Sequence, residues 1–282
     1  NSLNNIGLIY LNKGNYDKAL EFYQKSFEMQ KDLDNKKGMA GALENIGIVY
    51  QNRGFYDKAI SYFQQSLKIE EELNNNLGVS QSLNSIAGVY FLMNNYEKAL
   101  QYYQQSLSIK EKLGDIKEVA FTLNNIGNVY DNLLNYSKAI EYYEKSLSIS
   151  LKIGLTQNLA NIYNNLGNIY IKQKKYNKAS EFFQKALLIH QNSGNLQGIS
   201  SCYFHFATIN YHNGQYKKAL EYSQKSLNIS KKIGLKDHIK RNYQLQASIY
   251  AAINDYENAY YLHQKYVDIK DSLINEESHK QI

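Results

Sequence analysis

Residues 43–63, Leu43-Glu44-Asn45-Ile46-Gly47-Ile48-Val49-Tyr50-Gln51-Asn52-Arg53-Gly54-Phe55-Tyr56-Asp57-Lys58-Ala59-Ile60-Ser61-Tyr62-Phe63, decide the fold. Leu43, Ile46, Gly47 and Tyr50 step by three, one and three, which traces one face of a helix. Tyr56, Ala59, Ile60, Phe63 and Leu67 trace one face of a second, longer helix. Between them Gly54 suits a left-handed helix end, and Asp57 falls in the next first turn, where the helix dipole favours an anion. The unit is a helix, a tight turn and a helix.

The same unit returns every 40 residues on either side without insertion or deletion. Tyr56 has counterparts at Tyr16, Tyr96, Tyr136, Tyr176, Tyr216 and Tyr256, and Ala59 at Ala19, Ala99, Ala139, Ala179, Ala219 and Ala259. The Gly47 slot holds Gly7, Gly127 and Gly167, with Ala87, Ala207 and Ala247 in the other copies. Tyr50 recurs at Tyr10, Tyr90, Tyr130, Tyr170 and Tyr250, broken only by Asn210. Gly14 and Gly214 mark the same helix end as Gly54, while Asn15, Asn95, Asn135 and Asp255 suit N-caps. Gly114, Gly154, Gly194 and Gly234 close the second helix. The small residues let paired helices approach closely. An isolated pair would leave apolar surface in water, so neighbours must stack into a solenoid. The expectation is seven repeats, about fourteen helices and no strands.

Composition agrees. Of 282 residues, 43% are hydrophobic and 21% charged, which excludes a disordered chain. No apolar run reaches the roughly 18 residues of a membrane span. The single Cys202 excludes an intramolecular disulfide framework and any cysteine-rich metal site. A net charge of +6 is too small to imply nucleic acid, and the absence of proline suits long helices. Because the chain opens with Asn1 and has no charged-then-apolar leader, it reads as an internal fragment.

The order Leu43, Ile46, Gly47, Tyr50, Ala59, Phe63, Ser66 resembles the tetratricopeptide repeat, in a 40-residue variant. Leu or Tyr replaces that family's usual Trp, and its Pro after the second helix is missing, which fits a longer second helix. The resemblance implies an all-α, right-handed α-α superhelix whose concave surface, lined by first helices, takes a protein or extended peptide. Repeats fall near 1–35, 36–75, 76–115, 116–155, 156–195, 196–235 and 236–274, with 275–282 starting a C-terminal linker helix. Similar repeats occur in Pins-type scaffolds, Rap-type peptide-regulated proteins and the sensor regions of bacterial signalling proteins. Residues 266–277, from Tyr266 through Asp271 to Glu277, resemble the exit from the last repeat in membrane-anchored sensors of the histidine kinase type. That resemblance implies a ligand-sensing or scaffold role in a signalling parent, on the periplasmic side of a membrane. A free-standing cytoplasmic receptor or scaffold of the Rap or Pins kind is the alternative.

Catalytic signatures are missing: no phosphate-binding glycine loop, nucleophile elbow or H-E-x-x-H occurs, and no cofactor or metal is expected. Cys202 and His205, three apart on one helix, are the sole candidates for nucleophilic chemistry. The plainer reading makes Cys202 a small interior residue and His205 part of a wall. His205 and His212 lie about 10 Å apart by helix rise, too far to share a metal. Lys18, Lys58, Lys98, Lys138, Lys178 and Lys218 form a ridge, but neighbouring acids such as Asp17, Asp57 and Glu141 mark it as a mixed solvated face without nucleic acid. Direct membrane contact is not expected, and the oligomeric state stays open.

Function is expected on the alternative face of the first helices. Its 28 positions carry only three charges, Glu44, Asp131 and Arg241, so the face is charge-depleted and no carboxylate clamp. The expected groove residues are Phe91, Phe121, Asn124, Asn128, Asp131, Asn161, Asn164, Asn168 and Phe204. Asparagine amides offer donors and an acceptor to an extended backbone, and exposed phenylalanines would anchor side chains. The competing reading is that asparagine is common throughout and the stripe is merely wet.

Overall fold

The computed structural model describes the backbone of residues 2–281 and the side chains of residues 2–274. Among them are fourteen α-helices and no strand. The first helices of the repeats are α1 (Ser2–Asn12), α3 (Lys36–Asn52), α5 (Asn76–Leu92), α7 (Ile116–Asn132), α9 (Thr156–Lys172), α11 (Leu196–His212) and α13 (Lys236–Ala252). The second helices are α2 (Tyr16–Asp32), α4 (Tyr56–Glu72), α6 (Tyr96–Leu113), α8 (Tyr136–Ile153), α10 (Tyr176–Asn192), α12 (Tyr216–Lys232) and α14 (Tyr256–Gln281). The chain forms two compact units, residues 1–149 and 150–282. Within each, consecutive helices pack on one another, α7 and α8 through Gly127 and Asn128 against Tyr143.

One turn design serves both units. Asn15 N–H donates to Tyr10 O at 2.9 Å and Gly14 N–H to Leu11 O at 2.9 Å, a Schellman closure. Asn15 Oδ1 then accepts from Lys18 N at 3.2 Å, and Asn95 and Asn135 cap α6 and α8 alike. The residue at the left-handed position is Gly14, Gly54 or Gly214 in some copies, but Leu134 and Lys174 hold φ of 58° there. Close helix approach rests on the Gly47 slot: a Cβ there would lie 2.5 Å from the Phe63 ring, and one on Gly167 2.7 Å from Phe183. Buried Ala59, Ile60 and Phe63 of α4 pack against Ile86 and Val89 of α5, so α4 is shared between successive repeats, as are α2 and α6. Serines tie the paired helices further: Ser66 Oγ donates to Ala40 O at 3.1 Å and Ser106 Oγ to Ser80 O at 2.7 Å.

The expected linker begins where description of the side chains ends. The backbone of α14 continues to Gln281, while the side chains of 275–281 and the whole of 282 lie outside the described residues. No described helix is long and apolar enough to cross a membrane.

Candidate binding face

Each first helix is covered on most sides, and the expected stripe lies on what remains. On α9, Leu159, Ala160, Ile162, Leu166, Gly167, Ile169 and Tyr170 are buried, whereas Asn161 is exposed and Asn168 half-exposed. In unit 1, Phe91, Phe121, Asn128 and Asp131 are half-buried and Asn124 is buried at 7% exposure. Phe204 in unit 2 is half-buried, with the Arg241 guanidinium 4.3 Å from its ring centre. The expectation of freely exposed phenylalanine anchors is therefore corrected. Phe91 leans on Tyr96 of its own repeat at 5.9 Å, while the cover on Phe204 comes from Arg241 of the next repeat.

Several amides of the stripe are engaged by the fold. Asn128 Oδ1 accepts from the hydroxyl of Tyr143 at 2.7 Å, and that tyrosine is 1% exposed. Asn164 Nδ2 lies 3.3 Å from His190 Nε2, and its Oδ1 accepts from Cys202 Sγ at 3.7 Å. Glu44 accepts from Ser82 at 3.3 Å and also from Ser85. Burial raises the Glu44 carboxyl above its ordinary value, the serine bonds oppose this, and the Glu70 charge adds to it.

These contacts belong to polar nodes that sequence periodicity did not disclose. Position 30 of the repeat, on the second helix, holds Gln30, Glu70, Lys110, Ser150, His190 and Ser230 in successive copies. Lys110 is 1% exposed, and its Nζ donates to Thr122 Oγ1 at 2.9 Å and Asn84 Oδ1 at 3.4 Å, with Glu118 Oε2 at 3.5 Å. Burial lowers its affinity for a proton, and the Glu118 carboxylate opposes that shift. His190 is 3% exposed and meets a glycine: a Cβ on Gly198 would overlap its ring. Burial holds this imidazole below its ordinary value. Ser150 instead accepts from Asn158 Nδ2 at 2.8 Å. A long side chain faces glycine or an oppositely charged partner, whereas the short Ser150 meets an amide and the short Ser230 the hydroxyl of Ser200 at 2.7 Å.

The lysine ridge is also more specific than a solvated face. Lys18, Lys58, Lys98, Lys138 and Lys178 lie 5.1, 5.4, 4.9, 5.1 and 4.7 Å from the ring centres of Tyr10, Tyr50, Tyr90, Tyr130 and Tyr170. Each of those tyrosines stacks on Phe22, Tyr62, Tyr102, Tyr142 or Phe182, at 5.3–5.5 Å between centres. Rings already stacked within the fold are poor platforms for bases.

Cys202 and His205 do not cooperate. Cys202 is fully buried, which pushes its thiol up to about 12, and it donates to Asn164 rather than to the imidazole. The His205 ring stacks on Phe183 at 4.2 Å, and burial, with the Arg241 and His238 charges, lowers it to about 3. No thiolate–imidazolium pair forms at neutral pH from such groups. No cluster of metal-ligating residues occurs among the described residues.

Comparison with known proteins follows the repeat. The family described as Tetratricopeptide repeat matches residues 38–112, 118–192, 158–232 and 199–272, and a second pattern of the same description matches residues 1–33. No curated protein matches the chain. Among solved structures, aspartyl phosphate phosphatase F from Bacillus subtilis is similar, with 19% identity and a TM-score of 0.76 over 94% of this chain and 68% of that one. A Rap protein complexed with Competence and Sporulation Factor gives 19% identity and a TM-score of 0.71 over 95% of this chain and 74% of that one. A signal transduction ATPase with numerous domains and a tetratricopeptide repeat sensor, from Pyrococcus horikoshii, gives 19% identity and a TM-score of 0.78. The match covers 97% of this chain but 43% of that protein. At these identities the likeness is one of fold.

Proposed function

The chain belongs to the tetratricopeptide-repeat family, and on that premise we propose that it binds a protein or extended peptide along the uncovered sides of its odd-numbered helices. It catalyses no reaction, and it serves as the ligand-sensing or scaffold region of a larger bacterial signal-transduction protein. Residues 1–274 act as one seven-repeat domain, and 275–282 begin the connection to the rest. The carrying observation is the stripe itself. The expected stripe on the first helices holds three charges in 28 positions, in a chain with 32 basic and 26 acidic residues, and of its described residues all but Asn124 keep some exposure. Such a face suits neutral segments that offer backbone hydrogen bonds and apolar side chains. Its one basic side chain, Arg241, is laid over Phe204, so an acidic tail finds no clamp. The Rap fold, which carries a bound partner in one solved structure, supports the alternative of a free-standing receptor.

The test is to pan a displayed library of neutral peptides against the full chain and against Asn161→Arg/Asn168→Arg. Recovered peptides should bind the double variant at least about tenfold more weakly, the scale of a lost hot spot. Its melting temperature should stay unchanged, because Asn161 is exposed and Asn168 half-exposed. Peptides that bind both proteins equally would place recognition elsewhere.

A further inference from the structure

Repeats one to five each set a tyrosine ring against a second aromatic ring and a lysine. Repeat seven keeps the tyrosine, Tyr250, and loses both partners. Asn258 stands where Lys18 and Lys58 stand in their repeats, and Leu262 where Phe22 and Tyr62 stand. The Asn258 amide is turned away: its Nδ2 donates to Asp255 Oδ2 at 2.8 Å. A third departure lies beside them. Gln246, 4% exposed, occupies the place that Ile46, Ile86 and Ile126 fill in the core of other repeats. All three replacements and Tyr250 line one cavity of about 640 Å³, whose facing wall is α12 with Glu221 and Gln224.

We propose that this cavity, within the second unit, binds a peptide segment presenting an aromatic side chain with a cationic side chain next to it. Those are the two groups that the repeat supplies to itself in five other copies. The incoming ring lies against Tyr250, in the space left by the shorter Leu262. Charge fits the second group. Glu21 and Glu141 pair with Lys25 and Lys145 at 2.6 Å, but Glu221, at the same position, has no ion-pair partner among the described residues. Lys225 lines the same cavity and lies over Tyr203 and Tyr222, at 5.8 and 5.3 Å from their centres, without reaching Glu221. Glu221 thus lines the cavity with its carboxylate outside any ion pair among the described residues, and an incoming cation would pair with it. This site lies between α12 and α14 and is separate from the stripe proposed above.

The probe is acetyl-Tyr-Lys-amide, titrated into the isotopically labelled full chain and followed by amide chemical shifts. Binding should be saturable, in the millimolar range set by so small a ligand, with shifts at Gln246, Tyr250, Asn258 and Leu262. Acetyl-Leu-Lys-amide and acetyl-Tyr-Glu-amide should each bind at least about tenfold more weakly. Asn258→Lys/Leu262→Tyr, which restores the repeat's own groups, should abolish binding while circular dichroism and melting temperature are kept. Glu221 is exposed, so Glu221→Gln leaves the fold intact and should erase the preference for Lys over Glu in the probe. Absence of saturable shifts at these residues overturns the proposal. So does undiminished binding to the refilled variant, or a Lys preference that survives Glu221→Gln.

Discussion

Lys110 in the first unit and His190 in the second occupy the same place in their repeats and solve its burial in opposite ways. Lys110 keeps its ammonium among Glu118, Thr122 and Asn84. His190 gives up its charge: it is neutral, stands beside Asn164, and faces a glycine that leaves room for the ring. The contrast extends to the units as wholes. All six histidines lie between 190 and 279, and none lies in residues 1–149. A repeat backbone thus fixes volume and burial at a position and leaves open which chemistry satisfies it. Where chemistry differs, the two units should respond differently to the same insult. Where they share only backbone geometry, they should respond alike.

The largest expected effect breaks the node in unit 1. Glu118→Ala leaves a buried ammonium without its counter-charge and should cost about 3 kcal/mol, the lower end for a broken buried pair because Glu118 is partly exposed. Lys110→Met in the same background should recover most of it, since charge and partner are then both gone. Chemical denaturation of the two single variants and the double variant measures the coupling. If Glu118→Ala unfolds at the parent's midpoint, Lys110 is not held as a charged group.

Acid should separate the units next. His205 is lowered to about 3 from an ordinary 6.5, and His190 is lowered in the same direction, so the folded state binds fewer protons than the unfolded one below 6.5. Their stabilising effect is complete above that pH and is lost as pH falls towards 3. His205 alone should cost about 2 kcal/mol between pH 6.5 and 5, at about 1.4 kcal/mol per unit. Glu44 runs the other way: its folded value is raised, so acidification from neutral pH towards 4.5 favours unit 1. Hydrogen exchange should show peptides from 150–274 losing protection between pH 6.5 and 5 while peptides from 1–149 keep theirs. His205→Phe should flatten the response of unit 2. Equal losses in both units would contradict the burial of His205.

Backbone geometry should produce no such split. Leu134 and Lys174 both hold φ of 58°, a conformation that costs residues with a Cβ about 1–2 kcal/mol. Leu134→Asn and Lys174→Asn should each raise stability by about 1 kcal/mol, and by similar amounts. Unequal gains would mean that the turns differ in more than sequence.

The smallest expected effect concerns the ring stacks. Lys98→Met removes an exposed ammonium from Tyr90 and should cost about 0.5–1 kcal/mol. Lys218→Met should cost nothing measurable, because Asn210 stands where the tyrosine would be. Identical melting curves for the two variants would show that the cation contributes nothing to the stack.

The repeat, its length, its helical faces and its turns were all readable along the chain, because these follow from local periodicity. Gly47 and Ala59 are small for a reason that a pattern of apolar residues already implies. The stripe on the first helices was legible as a face, and Cys202 as an interior residue. Which polar side chains of that face the fold uses came only from the packing of the helices. Asn128 holds the hydroxyl of Tyr143 fifteen residues away, and Asn164 meets His190 and Cys202 from different helices. Lys110 gave no sign of burial, since its position holds Gln, Glu, Ser, His or a second Lys in other copies and carries no apolar signal. The left-handed Leu134 and the tyrosine–lysine stacks were hidden for a related reason. A helical period assigns a residue to a face, but a hydrogen bond or a stacked ring depends on which groups neighbouring helices bring within a few ångströms. Packing alone sets that distance.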